Sequence, residues 1–366
     1  MFPALIPLAV GSALLAAGAA GPLPELGTIR QQVRRAKQEL SVRPTLDEYH
    51  QSPFQPSQIV ERVHLLESDQ AWAELCQELA LLPDDELELF EDEIRKPAHT
   101  RRLPCAAALL LRTEAYWKDA DRRLAIAHPL SGFGTLPSIA VAIDTSKDPI
   151  LRDGDLPAGE IALTFDDGPH ATRTARVLQI LADAGIKATF FQIGRNATAH
   201  PEIARRVLAA GHTIGSHTFS HPNMSRLAEP HAEVEMESGD ASVSAALGLK
   251  PGALPFFRFP YGAKTPLEQI FVERHGNTTV FWNMDSQDWK IRDPHKLFLN
   301  VLSELDRAKH GIILFHDIHE QTVIVLPHVL AELRARQMKT VVFVAAAAKP
   351  GTPPPSPPGN ADSDSE

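Results

Sequence analysis

The chain is poor in cysteine, with two in 366 residues, too few for a disulfide framework or a zinc ribbon. Any metal ion would have to be held by histidine and carboxylate side chains. Positive charge is also in short supply: 36 Lys and Arg face 46 Asp and Glu, a formal net charge of −10. Without basic clusters, the electrostatic footprint of a nucleic-acid-binding protein is missing. No glycine-rich phosphate loop follows the first strand-like run of the C-terminal half. The first 24 residues carry no charged side chain at all. What remains is an apolar share of 43 %, ordinary for a globular protein, over a length that suits about two domains.

Leu5–Ala20 is a continuous run of apolar and small residues, and Ala17-Gly18-Ala19 has the small-x-small form of a signal-peptidase site. The basic segment that normally precedes such a run is missing; Arg30, Arg34, Arg35 and Lys37 follow it instead. A cleaved signal, an uncleaved N-terminal anchor at membrane or cell wall, and a buried helix all fit. The reading adopted is export to the periplasm, the exterior or a membrane-anchored state. An exported Cys76 and Cys105 could oxidise, and two buried thiols fit equally well. Six of the 30 prolines lie in Pro350–Pro358, and Ser and Asp follow them. That stretch has too little apolar area to offset its ordering entropy and reads as a disordered tail.

Between Pro22 and Arg123 the apolar period is helical, as at Ile29, Val33, Ala36 and Leu40 and at Leu75, Leu79 and Leu82. Asp84–Glu93 holds seven acidic residues in ten and reads as a helix face in solvent. From Glu160 the pattern changes to short apolar runs: Glu160–Phe165, Lys187–Gln192, His212–Ser216, Phe256–Phe259, Thr278–Asn283, Gly311–Phe315 and Lys339–Val344. Amphipathic helical segments separate them, which predicts a parallel α/β fold. A barrel of seven or eight strands fits; a doubly wound open sheet is the alternative.

Reactive side chains fall at the ends of these runs. Asp166 and Asp167 follow the first, His217 and His221 the third, Asp285 and Asp288 the fifth, and His316 and Asp317 the sixth; Arg258 lies in the fourth. Each has a bland reading alone. Asp-Asp-Gly-Pro is turn chemistry, a histidine pair four apart is commonly incidental, and Arg258 could serve a structural ion pair. In a parallel barrel, however, the carboxyl ends of the strands share one face, so residues spread over 150 positions would meet there. On a helical turn His217 and His221 would share a face, and with a carboxylate they form a ligand set for Zn²⁺ or Fe²⁺. His319 is expected to face outward, Asp285 to serve a backbone turn, and His170 receives no role.

Thr164-Phe165-Asp166-Asp167-Gly168-Pro169, with Thr174 beyond it, resembles the first motif of the polysaccharide deacetylases, the NodB-homology or carbohydrate esterase family 4 group. Ser216-His217-Thr218-Phe219-Ser220-His221-Pro222 resembles the second and Arg258-Phe259-Pro260-Tyr261-Gly262 the third. Asp285-Ser286-Gln287-Asp288-Trp289 resembles the fourth and Leu314-Phe315-His316-Asp317 the fifth. The resemblance covers roughly Glu160–Val344 and implies a deformed (β/α)7–8 barrel; the helical period upstream, which the resemblance leaves uncovered, predicts a smaller all-helical domain before it. The division expected is a leader or anchor over 1–21, a helical domain over 22–128, a linker over 129–158, the deacetylase domain over 159–348 and a tail over 349–366.

By that resemblance Asp167, His217 and His221 hold a divalent metal, Zn²⁺ first and Co²⁺ or Ni²⁺ next, which activates a water. Asp166 is the implied general base, with Arg258 orienting it. His316 is the implied general acid, its pKa raised by Asp288. The Tyr261 backbone N–H is implied to stabilise the oxyanion, and Trp289 and Leu314 to line a pocket for the acetyl methyl. The implied activity is removal of N-acetyl groups from an amino-sugar polysaccharide, peptidoglycan N-acetylglucosamine first among the substrates. An O-acetyl esterase on a xylan-like glycan and a non-catalytic glycan-binding barrel are the alternatives. Binding alone requires neither the base nor the acid.

Overall fold

The structure, a computed structural model, describes residues 56–65, 68–130 and 134–346. The expectations for 1–21 and 349–366, and the spacing of Ile29 to Leu40, lie outside these residues. Among the described residues two compact units emerge, one up to residue 114 and the other from residue 115 onward. Among the described residues no helix is long and apolar enough to cross a membrane.

The first unit is helical, as expected. It contains Pro56–Leu65, Asp69–Ala80, the short turns Asp84–Leu87, Glu91–Arg95 and Pro97–Thr100, and the start of Ala106–Ala127. The Ser68 hydroxyl accepts from the Ala71 N–H at 3.3 Å and starts the second helix. Leu75, Leu79 and Leu82 are buried with Ile59, Val63, Trp72, Phe90 and Ile94. Cys76 and Cys105 are joined as a disulfide with Cα atoms 5.9 Å apart. The acidic stretch departs from expectation: Glu88, Glu91 and Glu93 are buried. Short turns replace one continuous solvent face, and Arg95 and Lys96 pair with Glu91 and Glu93 at 2.7 Å each. Pairing of this kind is what allows a carboxylate to leave water.

Among its described residues the second unit is an α/β fold of ten strands: β1 (Ser138–Ile143), β2 (Ile150–Leu151), β3 (Glu160–Asp166), β4 (Thr189–Gln192), β5 (Thr213–Ser216), β6 (Phe256–Phe257), β7 (Thr278–Val280), β8 (Met284–Asp285), β9 (Gly311–His316) and β10 (Lys339–Ala345). Every ladder is parallel. The order runs β1-β10-β3-β4-β5-β6-β7-β2, with β9 also on β3 and β8 on β9. Strand pairing does not join β7 or β2 to β8, so the ring of strands is deformed there. The linker expected over 129–158 is corrected: β1 pairs with β10 and β2 with β7. The sheet therefore begins before residue 159.

Helices cover the sheet. Along β3, Ile161, Leu163 and Phe165 join the apolar cluster that includes Val177, Leu181, Val301, Val329 and other helix residues. Ala162, of opposite parity, joins Phe191, Phe256, Ile312 and Phe343 in a second cluster. Burying each large side chain contributes roughly 1.5–3 kcal/mol. Period-two alternation then places Thr164 and Asp166 on the Ala162 side. Register sets the neighbours: Asp166 stands opposite Phe191 on β4 and His316 on β9.

Candidate active site

Four strand ends are brought into line by hydrogen bonds that continue past the ladders. The His217 N–H donates to the Gln192 carbonyl (2.9 Å), and the Arg258 N–H donates to the Ser216 carbonyl (3.0 Å). On the other flank, the Ser286 N–H donates to the Leu314 carbonyl (3.2 Å). Side chains from the five motifs thereby gather at the carboxyl ends of the strands, as the positional pattern predicted.

Consecutive residues in a strand point to opposite faces, yet Asp166 and Asp167 both serve this end of the sheet. Asp167 has φ 74°, which breaks the alternation. Asp167, His217 and His221 form a cluster whose ligating atoms lie within 4.8 Å of one another. His221 Nε2 is 3.2 Å and His217 Nε2 3.6 Å from Asp167 Oδ1. The far side of each ring is engaged. His217 Nδ1 is 2.7 Å from the Arg258 carbonyl, so it carries the proton and leaves the Nε2 lone pair free to ligate. His221 Nδ1 lies 3.0 Å from the Tyr261 hydroxyl, which donates in turn to the His221 carbonyl at 3.3 Å. One expectation is corrected: residues 217–221 form a bent loop, not a helical turn. Positive φ at Thr218 (64°) and His221 (65°) turns the imidazoles together.

Arg258 is completely buried. Its Nη1 donates to Asp166 Oδ1 and to Thr164 Oγ1, both at 2.8 Å. Nε donates to the Val280 carbonyl (2.9 Å) and Nη2 to the Phe281 carbonyl (3.1 Å). The guanidinium also lies 4.2 Å from the Phe191 ring centroid. Burial disfavours the charge and the Asp166 carboxylate opposes that effect. One Asp166 oxygen is clamped, while Oδ2 stands 3.7 Å from His217 Nε2. The carboxylate is fixed on one side and directed at the ligand cluster on the other.

His316 and Asp288 make a second buried pair. Asp288 Oδ1 is 2.7 Å from His316 Nδ1, and Oδ2 accepts from the His316 N–H (2.7 Å) and the Thr322 hydroxyl (2.6 Å). Burial works against a charged imidazole, but Asp288, with Asp167 and Asp166, outweighs it and raises the pKa to about 10. Leu314 shares the parity of His316 on β9 and is buried, as is Trp289. Tyr261 sits in a tight turn with φ 60°. Asp285 does serve the turn, its Oδ1 accepting from the Gln287 N–H at 2.8 Å. His319 is partly buried rather than outward, with its ring centroid 5.6 Å from that of His316. His170 Nδ1 accepts from the Thr172 and Arg173 N–H groups at 3.2 Å and caps a helix.

Several supporting residues carry no sequence signal of their own. Gln321 donates to the Asp288 carbonyl at 2.6 Å, and Glu235 bonds the loop that bears both histidines. Within the first motif, Thr174 donates to buried Asp317 at 2.5 Å. Burial pushes the Asp317 carboxyl up to about 7. A Cβ at Gly168 would lie 2.3 Å from Asp317 Oδ2, which accounts for glycine after the aspartate pair.

A clustered His-His-Asp set flanked by a buried carboxylate and a buried imidazole of raised pKa, at the carboxyl ends of parallel strands, is an arrangement suited to hydrolysis. Residues 153–280 match the family described as polysaccharide deacetylase. A chitooligosaccharide deacetylase of Azorhizobium caulinodans is 39 % identical over 158 residues, 43 % of this chain and 73 % of the relative. A peptidoglycan-N-acetylglucosamine deacetylase of Listeria monocytogenes is 32 % identical over 183 residues, which are 50 % of this chain but only 38 % of the relative. Among solved structures, a Bdellovibrio bacteriovorus peptidoglycan deacetylase superposes with TM-score 0.77 at 30 % identity, covering 87 % of this chain and 95 % of that one. The chain belongs to the polysaccharide deacetylase family, and its activity class is that of the polysaccharide N-deacetylases.

Proposed function

We propose that the protein is an exported, metal-dependent enzyme that removes N-acetyl groups from the N-acetylglucosamine of peptidoglycan. The observation that carries the substrate assignment is the extent of the Bdellovibrio likeness: it runs through 87 % of the chain, whereas the chitooligosaccharide relative covers 43 %. Export is supported by the uncharged first 24 residues and by the Cys76–Cys105 disulfide, a bond typical of oxidising compartments.

The donor set fits a divalent ion. Two imidazole Nε2 atoms and one carboxylate oxygen converge, and a second partner engages the Nδ1 atom of each ring. Two histidines and one carboxylate with open positions suit Zn²⁺, with Co²⁺ or Ni²⁺ as substitutes. Asp167, His217 and His221 would hold the ion, which when bound supplies Lewis-acid polarisation and a water of lowered pKa.

Asp166, held by Arg258, takes the proton of the water that adds to the acetamide carbon. The Tyr261 backbone N–H, presented by its positive-φ turn, is assigned to the developing oxyanion. His316 then donates its proton to the sugar nitrogen as the C–N bond breaks, leaving acetate and a free amine. Leu314 and Trp289 are assigned to the acetyl methyl. Acetate release from purified peptidoglycan tests this reading, with chito-oligosaccharides and acetylated xylan in parallel, before and after chelation and Zn²⁺ return. Release from peptidoglycan that stops on chelation and resumes with Zn²⁺ is expected. Release from xylan alone would replace the deacetylase reading with an esterase.

A further inference from the structure

The loop that carries both histidine ligands is held in a conformation it would not keep by itself. Thr218 and His221 have φ of 64° and 65°, in the left-handed region that crowds the Cβ of any residue other than glycine. The restraint comes from the helix Glu229–Leu247, which supplies no ligand. Glu235 Oε2 accepts from the backbone N–H groups of Phe219 (3.1 Å) and Ser220 (2.8 Å), and Oε1 accepts from the Ser220 hydroxyl (2.7 Å). The Glu235 carbonyl accepts from the Phe219 N–H as well, at 3.0 Å. One helical turn further on, Gly239 admits the loop: a Cβ there would lie 2.4 Å from the Thr218 carbonyl carbon. From the opposite side, the Gly194 N–H donates to the Thr218 carbonyl (2.9 Å) and the Arg195 N–H to the Phe219 carbonyl (3.0 Å).

We infer that Glu235 is a positioning residue for the metal centre, fixing the loop so that His217 and His221 present their Nε2 atoms to one ion. This rests on the metal-dependent reading above. Phe219 and Ser220 lie between the two histidines in sequence, so a shift at their amides is transmitted to both rings. Charge-assisted hydrogen bonds are roughly twice as strong as neutral ones, and one carboxylate here takes three donors at once. The requirement is for acceptors at the right reach. Glutamine at 235 would meet it, since its carbonyl can accept from both N–H groups while its amide donates to a rotated Ser220 hydroxyl. Aspartate keeps the charge but is one methylene too short.

The test is Zn²⁺ affinity of the full chain, measured by competition with a chromophoric chelator, together with the Co²⁺ absorption spectrum and amide exchange at Phe219 and Ser220. Glu235→Ala is expected to weaken Zn²⁺ binding by about 10- to 100-fold, to change the Co²⁺ bands and to speed exchange at the two amides. Glu235→Asp is expected to weaken binding as well, and Glu235→Gln, which keeps the reach but not the charge, to weaken it clearly less than Glu235→Ala and to keep the wild-type Co²⁺ spectrum. Glu235→Ala or Glu235→Asp protein that binds Zn²⁺ as tightly as wild type overturns the inference. Equal losses in Glu235→Gln and Glu235→Ala also overturn it, because reach would then not be the property that matters. Wild-type protein that binds no Zn²⁺, behaving like a His217→Ala control, overturns the metal-centre reading itself.

Discussion

The two ends of the site hold buried ion pairs of opposite design. In the mechanism proposed above, the Asp166 carboxylate works and the Arg258 cation supports it, whereas the His316 imidazolium works and the Asp288 carboxylate supports it. The pairs face each other through the β3–β9 ladder, where Asp166 and His316 are register partners. Their supports differ in construction. Arg258 spreads its donors over Asp166, Thr164 and the Val280 and Phe281 carbonyls. Asp288 gathers the ring and the backbone N–H of His316 with the Thr322 hydroxyl on its two oxygens. The first support holds its partner still while leaving one oxygen able to accept a proton. The second keeps a proton in place until it is required. In the proposed mechanism, base and acid thus come from the same pairing of one negative with one positive group, by reversing which member does the work.

The largest effect is expected on removing the working member of the first pair. Asp166→Asn should lower kcat by about 10²–10⁴-fold while Zn²⁺, measured by elemental analysis, stays bound. His217→Ala should instead lose the metal. Near wild-type turnover in Asp166→Asn would break the assignment of base and ligands. Next comes the support of the second pair. Asp288 raises the His316 pKa to about 10, so the proton is retained until pH rises through that value. Asp288→Asn removes the largest raising cause and leaves burial opposed only by Asp167 and Asp166, so the proton is lost at lower pH. The alkaline limb of kcat/KM should move to lower pH, and activity at neutral pH should fall by about 10²-fold. The same sign governs stability: the pair's contribution is complete below 6.5 and is lost as pH rises through about 10. Thermal denaturation of the chelated wild type and Asp288→Asn over that range checks it.

A smaller effect is expected for Arg258→Lys. One ammonium cannot reproduce a fork of donors to four acceptors, and each hydrogen bond to a charged group is worth about 1.5–3 kcal/mol. A lower Tm in the chelated protein and a drop in kcat, with Zn²⁺ affinity kept, would sharpen the contrast between support and ligand. Thr322→Val, which removes a single hydroxyl donor from Asp288 while the ring and backbone donors of His316 remain, should cost about 1.5 kcal/mol, the lower end of that range, seen as a loss of kcat/KM of about tenfold. A loss matching that of Asp288→Asn would show that the hydroxyl, rather than the ring contact, sets the carboxylate.

Much of this was readable before the structure because the catalytic strands are short apolar runs that end abruptly in reactive residues. Asp166, Arg258 and His316 sit where strand parity and the strand-end rule put them. The strands β1 and β2 escaped notice for a physical reason. Exposed Ile139 and Ala140 give β1 no continuous buried run, and β2 is two residues long. Spacing alone suggested a helical turn for His217 and His221, because a four-residue interval does not reveal positive φ at residues between and at its ends. Glu235 shares its helix with Glu229, Glu233 and Glu237, and nothing in the local pattern separates the one that reaches the loop. The acidic stretch Asp84–Glu93 points the opposite way, since composition cannot show that Arg95 and Lys96 pair with buried Glu91 and Glu93.

Gly239 carries the widest consequence. It lies outside all five motifs, in the middle of a helix, where glycine costs roughly 1 kcal/mol relative to alanine. Yet any side chain there would press on the Thr218 backbone. Surveys of related genomes that score only the five motifs would therefore count as active any paralogue with every catalytic residue intact and a larger residue at this position. In this chain even a methyl group there would have to displace the loop that carries both histidines, so the helix glycine belongs beside the five motifs in any such survey.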